Sequence, residues 1–317
     1  HRDLHSFPTR RSSDLKIKYG HAEVGNFKNE EYYFEQQEIE FTHVNVEDAA
    51  DQLVIAKWIV RNLADQYGLT VSFAPKITVG KAGSGLHIHF MVEKDGQNLM
   101  VEEGKLSPLA KKVIAGMLDL AGPLTAFGNT IPTSYLRLVP HQEAPTNICW
   151  GDRNRSVLIR VPLGWLGAFN MIKEVNPQDN TPLTPIQSKQ TCELRSGDGS
   201  ADIYNYLAGM VVSALHGIEM PNSLQKAEEL YMNVNIFEEK HKDKLNKLKK
   251  LPVSCSESAD LLDQNRSFFE KDGIFPAGLI DRFIKMLKSY NDNGLSEKLY
   301  GNNEEIAKLV KQYLHCG

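Results

Sequence analysis

Hydrophobic and polar residues follow two periods along this chain, and the change from one to the other organises it. Residues 36–42 (QQEIEFT) alternate strictly. Ile39 and Phe41 share one side and Glu38 and Glu40 the other, the period of two expected of a strand. Residues 16–25, ending in HAEVG, read as an earlier strand. Over residues 46–67 the period becomes helical: Val46, Ala49, Ala50, Leu53, Val60, Leu63, Ala64 and Tyr67 form one apolar stripe, and Gly68 supplies the stop. Strand patterns return at 69–79 and 86–93, separated by a tight KAGSG loop at 81–85. Asp95-Gly96 turns the second of these into a hairpin that returns over 99–101.

Ser107-Pro108 opens a helix that runs to about residue 120. Residues 121–155, rich in Pro, Gly, Asn and Thr, read as a long irregular tract, a kind of segment that is often functional. A short strand follows at 156–161, and 164–190 reads as loop. From 200 onward the period is helical, over 200–218, 223–242, 256–270 and 275–291, with a last helix at 294–314. Strands early and helices late predict an α+β domain with an antiparallel sheet, not alternating βαβ units. Residues 1–15 (HRDLHSFPTRRSSDL) show no period and read as a non-native leader from a cloning or sequencing adapter. The domain is therefore expected over 16–317, sheet-rich to about 200 and mostly helical beyond, truncated in front and complete behind.

Composition narrows the partners. Lys and Arg number 36 against 40 Asp and Glu, a net charge of -4, so there is no global basic field for nucleic acid. No apolar run approaches the roughly 20 residues that span a bilayer. Cys149, Cys192, Cys255 and Cys316 are widely spaced, which fits free thiols in a reduced, cytoplasmic setting. The basic run at 240–250 reads as a solvated helix face.

Candidate chemistry lies on the strands. His87 and His89 point together, as do Glu193 and Arg195, because residues two apart share a strand face. Such pairs face solvent in many proteins. Gathered on neighbouring strands, with Glu23 and Glu38, they would instead form a polar cavity floor whose carboxylates need a cation among them. Oxygen donors suit Mg²⁺, and an added imidazole suits Mn²⁺. Arg137, Arg153, Arg155, Arg160 and Arg195 add guanidinium forks for phosphate or carboxylate, or else pair at the surface. Carboxylates for metal and arginines for anions together suggest phosphoryl transfer. There is no GxxxxGK[ST], no kinase motif set beyond the HRD of the leader, and no GxSxG elbow.

GSGLHIH, PTSYLRLVPHQEAP, WGDRNRSVLIRVP and CELR, in that order, resemble the catalytic-domain signatures of the glutamine synthetase family. HAEV, QQEIEF and FAPK resemble its metal-carboxylate region. The resemblance runs from about residue 17 to about 290. It implies a curved antiparallel sheet that carries the active site, flanked by helices. It also implies ATP-dependent ligation of glutamate and ammonium through a γ-glutamyl phosphate, with two Mg²⁺ or Mn²⁺ ions. In that likeness Glu23 and Glu38 match ligands of the first metal, with Glu23 beside the ammonium pocket. His87 and Glu193 match ligands of the second, ATP-side metal. His89, Arg155 and Arg160 match ATP-binding positions, and Gly83, Arg137 and Arg195 match glutamate-binding ones. Glu143 matches the loop glutamate that closes the site and helps take a proton from ammonium. The insert NFKNEEYY between Glu23 and Glu38 offers Glu30 and Glu31 as rivals; Glu38 is chosen because QQEIE runs without a gap into the matching helix. Ala82 stands where the family commonly has Asn, and SGDG follows Arg195 in place of Phe-Pro-Asp-Pro. The family's small N-terminal domain and first catalytic strand have no counterpart here, so the chain alone is expected to be inactive and the full-length protein to form a ring oligomer. A γ-glutamyl-amine ligase and a non-catalytic family member are the alternative readings. Tyr231 reads as an ordinary helix-surface tyrosine.

Overall fold

A computed structural model describes residues 15–28, 32–78, 81–139, 144–163, 175–178, 189–233, 246–299 and 301–317. The leader, save Leu15, lies outside the described residues, as do Glu143, Glu30, Glu31, most of 164–190 and all of 234–245.

Strands β1 (Ile17–Lys28) and β2 (Tyr33–Phe41) form an antiparallel pair by themselves, each extending further toward the turn between them than expected. Helix α1 (Val46–Gln66) ends at Tyr67-Gly68, with Gly68 at φ +66°, the left-handed geometry a glycine stop supplies. Its stripe is only partly covered: Ala50 is buried, but Val46, Leu63 and Tyr67 are exposed. No strand forms at 69–79 among the described residues. The backbone there bonds to loops and side chains instead, with Ala74 N donating to Ser72 Oγ and Pro75 O accepting from Ser84 N.

The predicted strand at 86–93 reduces to β3 (Ile88–Phe90) and β4 (Glu93–Lys94), because its partner across the sheet is itself three residues long. Asp95 and Gly96, at φ 52° and 74°, make the expected turn, but the returning strand is β5 (Gln97–Asn98). A second small hairpin, β6 (Val101–Glu102) and β7 (Lys105–Leu106), follows through Glu103-Gly104. Helix α2 (Pro108–Asp119) starts where expected, the Ser107 side chain accepting from Ala110 N.

The irregular tract at 121–155 holds three regular elements among its described residues: α3 (Ala121–Gly128), α4 (Ser134–Arg137) and β8 (Trp150–Asp152). Every residue of α3 is buried, so it shows no polar face and no period to detect. β9 (Ile159–Val161) and β10 (Cys192–Leu194) complete a four-stranded sheet of order β3-β10-β9-β8. The antiparallel expectation holds for β3–β10 and β10–β9 and fails for β8–β9, which are parallel. Their link is far shorter than the usual crossover of a dozen or more residues. Arg153 at φ 55° and Asn154, whose Oδ1 accepts from Ser156 N at 2.9 Å, turn the chain back within it.

The remaining elements are helical: α5 (Ile203–Glu219), α6 (Ser223–Glu229), α7 (Cys255–Gln264), α8 (Arg266–Glu270), α9 (Ala277–Ser289), α10 (Leu295–Leu299) and α11 (Asn303–Gln312). The expected helices at 256–270 and 294–314 are each broken, the first at Asn265 and the second near Gly301 at φ 76°. α2 and α5 approach closely at facing glycines: a Cβ on Gly116 would lie 2.4 Å from Gly217 N. Phe127 of α3 contacts Phe269, Phe275 and Phe283, with ring centroids 5.0–5.6 Å apart, and joins α3 to the C-terminal helices in one core. The four cysteines are free thiols, three of them buried. No described helix is long and apolar enough to cross a membrane.

Candidate active site

The four-stranded sheet has one apolar and one charged face. Ile88, Phe90, Cys192, Leu194, Ile159 and Val161 join the core. On the other face β10 sets Glu193 directly opposite His89 of β3 on one side and Arg160 of β9 on the other. The strand period then adds His87 and Arg195 to the same row.

Glu193 is the centre of this row and is 1% exposed. His87 Nδ1 lies 3.1 Å and Arg195 Nε 3.4 Å from its Oε1, and Arg160 Nε forms an ion pair with Oε2. Burial opposes its charge, but the His87 hydrogen bond and the charges of His87, Arg160 and Arg195 outweigh burial and hold the carboxyl at about 2. Burial in turn lowers the His87 pKa, against the raising effect of its Glu193 hydrogen bond. Glu193 Oε2 is sealed from solvent, and its partner there is the Arg160 guanidinium.

Arg137, on α4, is buried at 3% exposure and donates to Ser196 O at 2.8 Å and Arg195 O at 3.2 Å. Its guanidinium is thereby locked to the turn that follows β10. The KAGSG loop packs on it so closely that only glycine fits: a Cβ on Gly85 would sit 2.4 Å from Arg137 Nη2 and 2.9 Å from His87 Nε2. Arg155 is exposed, and its carbonyl accepts from Arg195 Nη1. His89 meets Thr191 Oγ1 at 3.2 Å.

A second cluster sits on the hairpin. His21 is the register partner of Glu38, and its Nε2 lies 3.7 Å from Glu38 Oε1. The ladder is irregular between Ala22 and Asn26, where Glu23 lies, and Glu23 Oε1 is 3.5 Å from His21 Nδ1. Ligand atoms of His21, Glu23 and Glu38 all lie within 4.8 Å of one another. Burial first, and then the charge of Glu23, raise the Glu38 pKa, as expected of carboxylates crowded without a cation. Two carboxylates and an imidazole fit Mn²⁺ or Mg²⁺ in donor type. Gln36 ties this hairpin to the KAGSG loop, its Nε2 donating to Gly83 O at 3.3 Å and Ser84 Oγ at 3.0 Å. The charges of the two clusters act on each other, since Glu193 also raises the Glu38 pKa.

The structure thus gathers His87, His89, Glu193, Arg160 and Arg195 on one sheet face, with Arg137 and Gly83 behind His87. It gathers Glu23 and Glu38 on the neighbouring hairpin. His21 and Lys76 were not singled out from the sequence, although His21 stands two residues from Glu23 on a strand and was open to the rule that paired His87 with His89. A separate cavity of about 680 Å³ lies at the β8 edge, lined by Leu106, Lys111, Trp150, Asp152, Arg153 and Tyr231 among others, and holds none of these site residues. Tyr231 is not on a helix surface. It follows α6, bridges to Trp150, and donates to Asp152 Oδ2 at 3.0 Å.

Comparison with known proteins supplies the context. The family pattern described as glutamine synthetase, catalytic domain, matches residues 15–294. The glutamine synthetase of Mycolicibacterium smegmatis is 32% identical over 276 residues, 86% of this chain and 51% of the relative. That of Pyrococcus horikoshii is 34% identical over 234 residues, 73% of this chain and 47% of the relative. The chain thus spans about half the length of these curated relatives. A cryo-EM structure of Plasmodium falciparum glutamine synthetase matches in fold with a TM-score of 0.67, at 20% identity, over 95% of this chain and 60% of that one.

Proposed function

Because the chain belongs to the glutamine synthetase catalytic-domain family, we propose that it carries the ATP-dependent ligation of glutamate and ammonium to glutamine. The observation that carries this reading is the buried Glu193, held as an anion among His87, Arg160 and Arg195, beside a second carboxylate–imidazole cluster.

The chemistry sets the requirements. The γ-carboxylate of glutamate is an anion and a poor electrophile, and phosphorylation gives it a leaving group. ATP must approach that anion, so fixed positive charge has to cancel the repulsion, and it does so best where it is already oriented. Arg160 and Arg155 serve the phosphates and His89 the nucleotide. Arg137, locked by two backbone carbonyls, receives the α-carboxylate of glutamate, with the Gly83 backbone beside it and Arg195 toward the transferred phosphoryl group. Glu23 and Glu38, with His21, would hold one divalent ion and His87 with Glu193 the other. Such ions, when bound, supply charge neutralisation between the phosphates and the substrate carboxylate. Glu23 and Glu143 bind ammonium and accept its proton before nitrogen attacks the γ-glutamyl phosphate. Self-association of the intact protein into a ring and a cytoplasmic setting belong to the same proposal.

Phosphate release by the intact protein, measured with ATP, L-glutamate and ammonium, tests the reading. Release that depends on both glutamate and ammonium is expected. Dependence on glutamate with another amine in place of ammonium would transfer the assignment to a γ-glutamyl-amine ligase, and no glutamate dependence would reject both. Glu38→Gln should weaken Mn²⁺ binding, followed by calorimetry, by about ten-fold or more.

A further inference from the structure

Lys76, in the FAPK segment, is a charged side chain to which the reaction above gives no task. It is 4% exposed, and burial together with the nearby Arg137 guanidinium pushes its pKa down to about 8. Burying an ammonium costs desolvation that a methionine of similar length would not incur.

The local geometry supplies a task. Lys76 Nζ donates to the carbonyl of Lys81, and one residue earlier Pro75 O accepts from Ser84 N at 3.0 Å. Two successive residues therefore hold two points of the 81–85 loop. Arg137 closes on the loop as well: a Cβ on Gly83 would lie 2.2 Å from Pro75 O and 2.9 Å from Arg137 Cγ. The loop is a single layer of backbone pressed between the Pro75–Lys76 segment and the Arg137 side chain. Its outer edge is tied to the hairpin by Gln36.

We propose that Lys76 is a positioning residue for the carboxylate subsite: its ammonium fixes the 81–85 loop against Arg137, so that loop backbone and guanidinium meet one substrate carboxylate together. The proposal rests on the ligase reading and adds to it a residue that touches no substrate.

Steady-state kinetics of the intact protein test it, with L-glutamate and ATP titrated separately. Lys76→Met should raise the KM for glutamate by about ten-fold or more while the KM for ATP and kcat at saturating glutamate stay within about three-fold, the pattern of lost ground-state binding. Lys76→Arg, which keeps a charged donor, should stay within about three-fold of the native glutamate KM. Equal loss toward glutamate and ATP, an unchanged glutamate KM, or a Lys76→Met protein that does not fold would make Lys76 a general structural lysine and overturn the assignment. A native protein that shows no glutamate-dependent turnover would instead sink the ligase reading itself.

Discussion

At Gly83 an added methyl group would meet the Pro75 carbonyl oxygen at 2.2 Å, backbone against backbone, whereas at Gly278, inside α9, it would meet nothing within 4 Å. The same substitution should therefore act in opposite directions. Gly83→Ala is expected to destabilise by about 1–3 kcal/mol, as overpacking does. Gly278→Ala, in the first turn of that helix, should stabilise by no more than about 0.5 kcal/mol through helix propensity alone. Urea midpoints shifted apart by the two variants would bear this out; a Gly83→Ala midpoint equal to the native one would show that the loop yields. Such close approach is invisible in sequence, where KAGSG reads only as a tight turn. Legibility at the site follows the same line. The strand period brought His87 to His89 and Glu193 to Arg195 because a two-residue repeat is a local property. That His89, Glu193 and Arg160 form one row depends on strand register, which no local pattern gives. Lys76 is not legible in the sequence, because a lysine five residues before a glycine loop has no periodic signature.

A single carboxylate joins three helices. Asp119, the last residue of α2, accepts from His216 Nε2 of α5 at 2.8 Å and from Lys226 Nζ of α6. Burial opposes its ionisation, but the bonds from Lys226 and His216 outweigh it, and its pKa lies below the ordinary value. A depressed carboxyl pKa contributes stability that is present above the unfolded-state value of about 3.9 and disappears as pH falls through the lower folded-state value. Asp119→Asn should accordingly cost about 1–2 kcal/mol at pH 7, and the gap between variant and native unfolding curves should close in acid below about pH 4. A gap that persists unchanged at low pH would mean that shape, not charge, holds the three ends together. Among elements, those whose polar and apolar residues follow a clear period were legible: β2, α1, α2 and α9 fall within a few residues of their predicted limits. Those wrapped by the core were not. α3 is buried on all sides and reads as irregular in the sequence, and the parallel turn from β8 to β9 depends on a left-handed Arg153 that its residue type does not announce.

Stability is unevenly spread over the molecule. The aromatic group around Phe127 and the α2–α5 crossing lie in the main core. The β1–β2 hairpin pairs with no other described strand and leaves Ile17, Tyr19, Val24 and Ile39 exposed. A two-stranded sheet is marginal in water without a covering layer. It is held to the rest by a few bonds, Lys16 N to Gln52 Oε1 and Gln36 to the KAGSG loop among them. Local opening should thus release the hairpin well before the core. Hydrogen exchange of the hairpin amides should run about 100-fold faster than that of α2, α3 and α5 in the absence of divalent ions. If His21, Glu23 and Glu38 hold a cation only while the hairpin keeps them within 4.8 Å, binding draws on the closed state alone. Mn²⁺ at about ten times its dissociation constant should then slow hairpin exchange about ten-fold and leave α3 untouched. Protection that spreads evenly over hairpin and core would contradict a local cation site. Protection of the hairpin alone makes the metal part of the fold at the point where the chain is weakest, so that assembling the site and ordering the strands become one event.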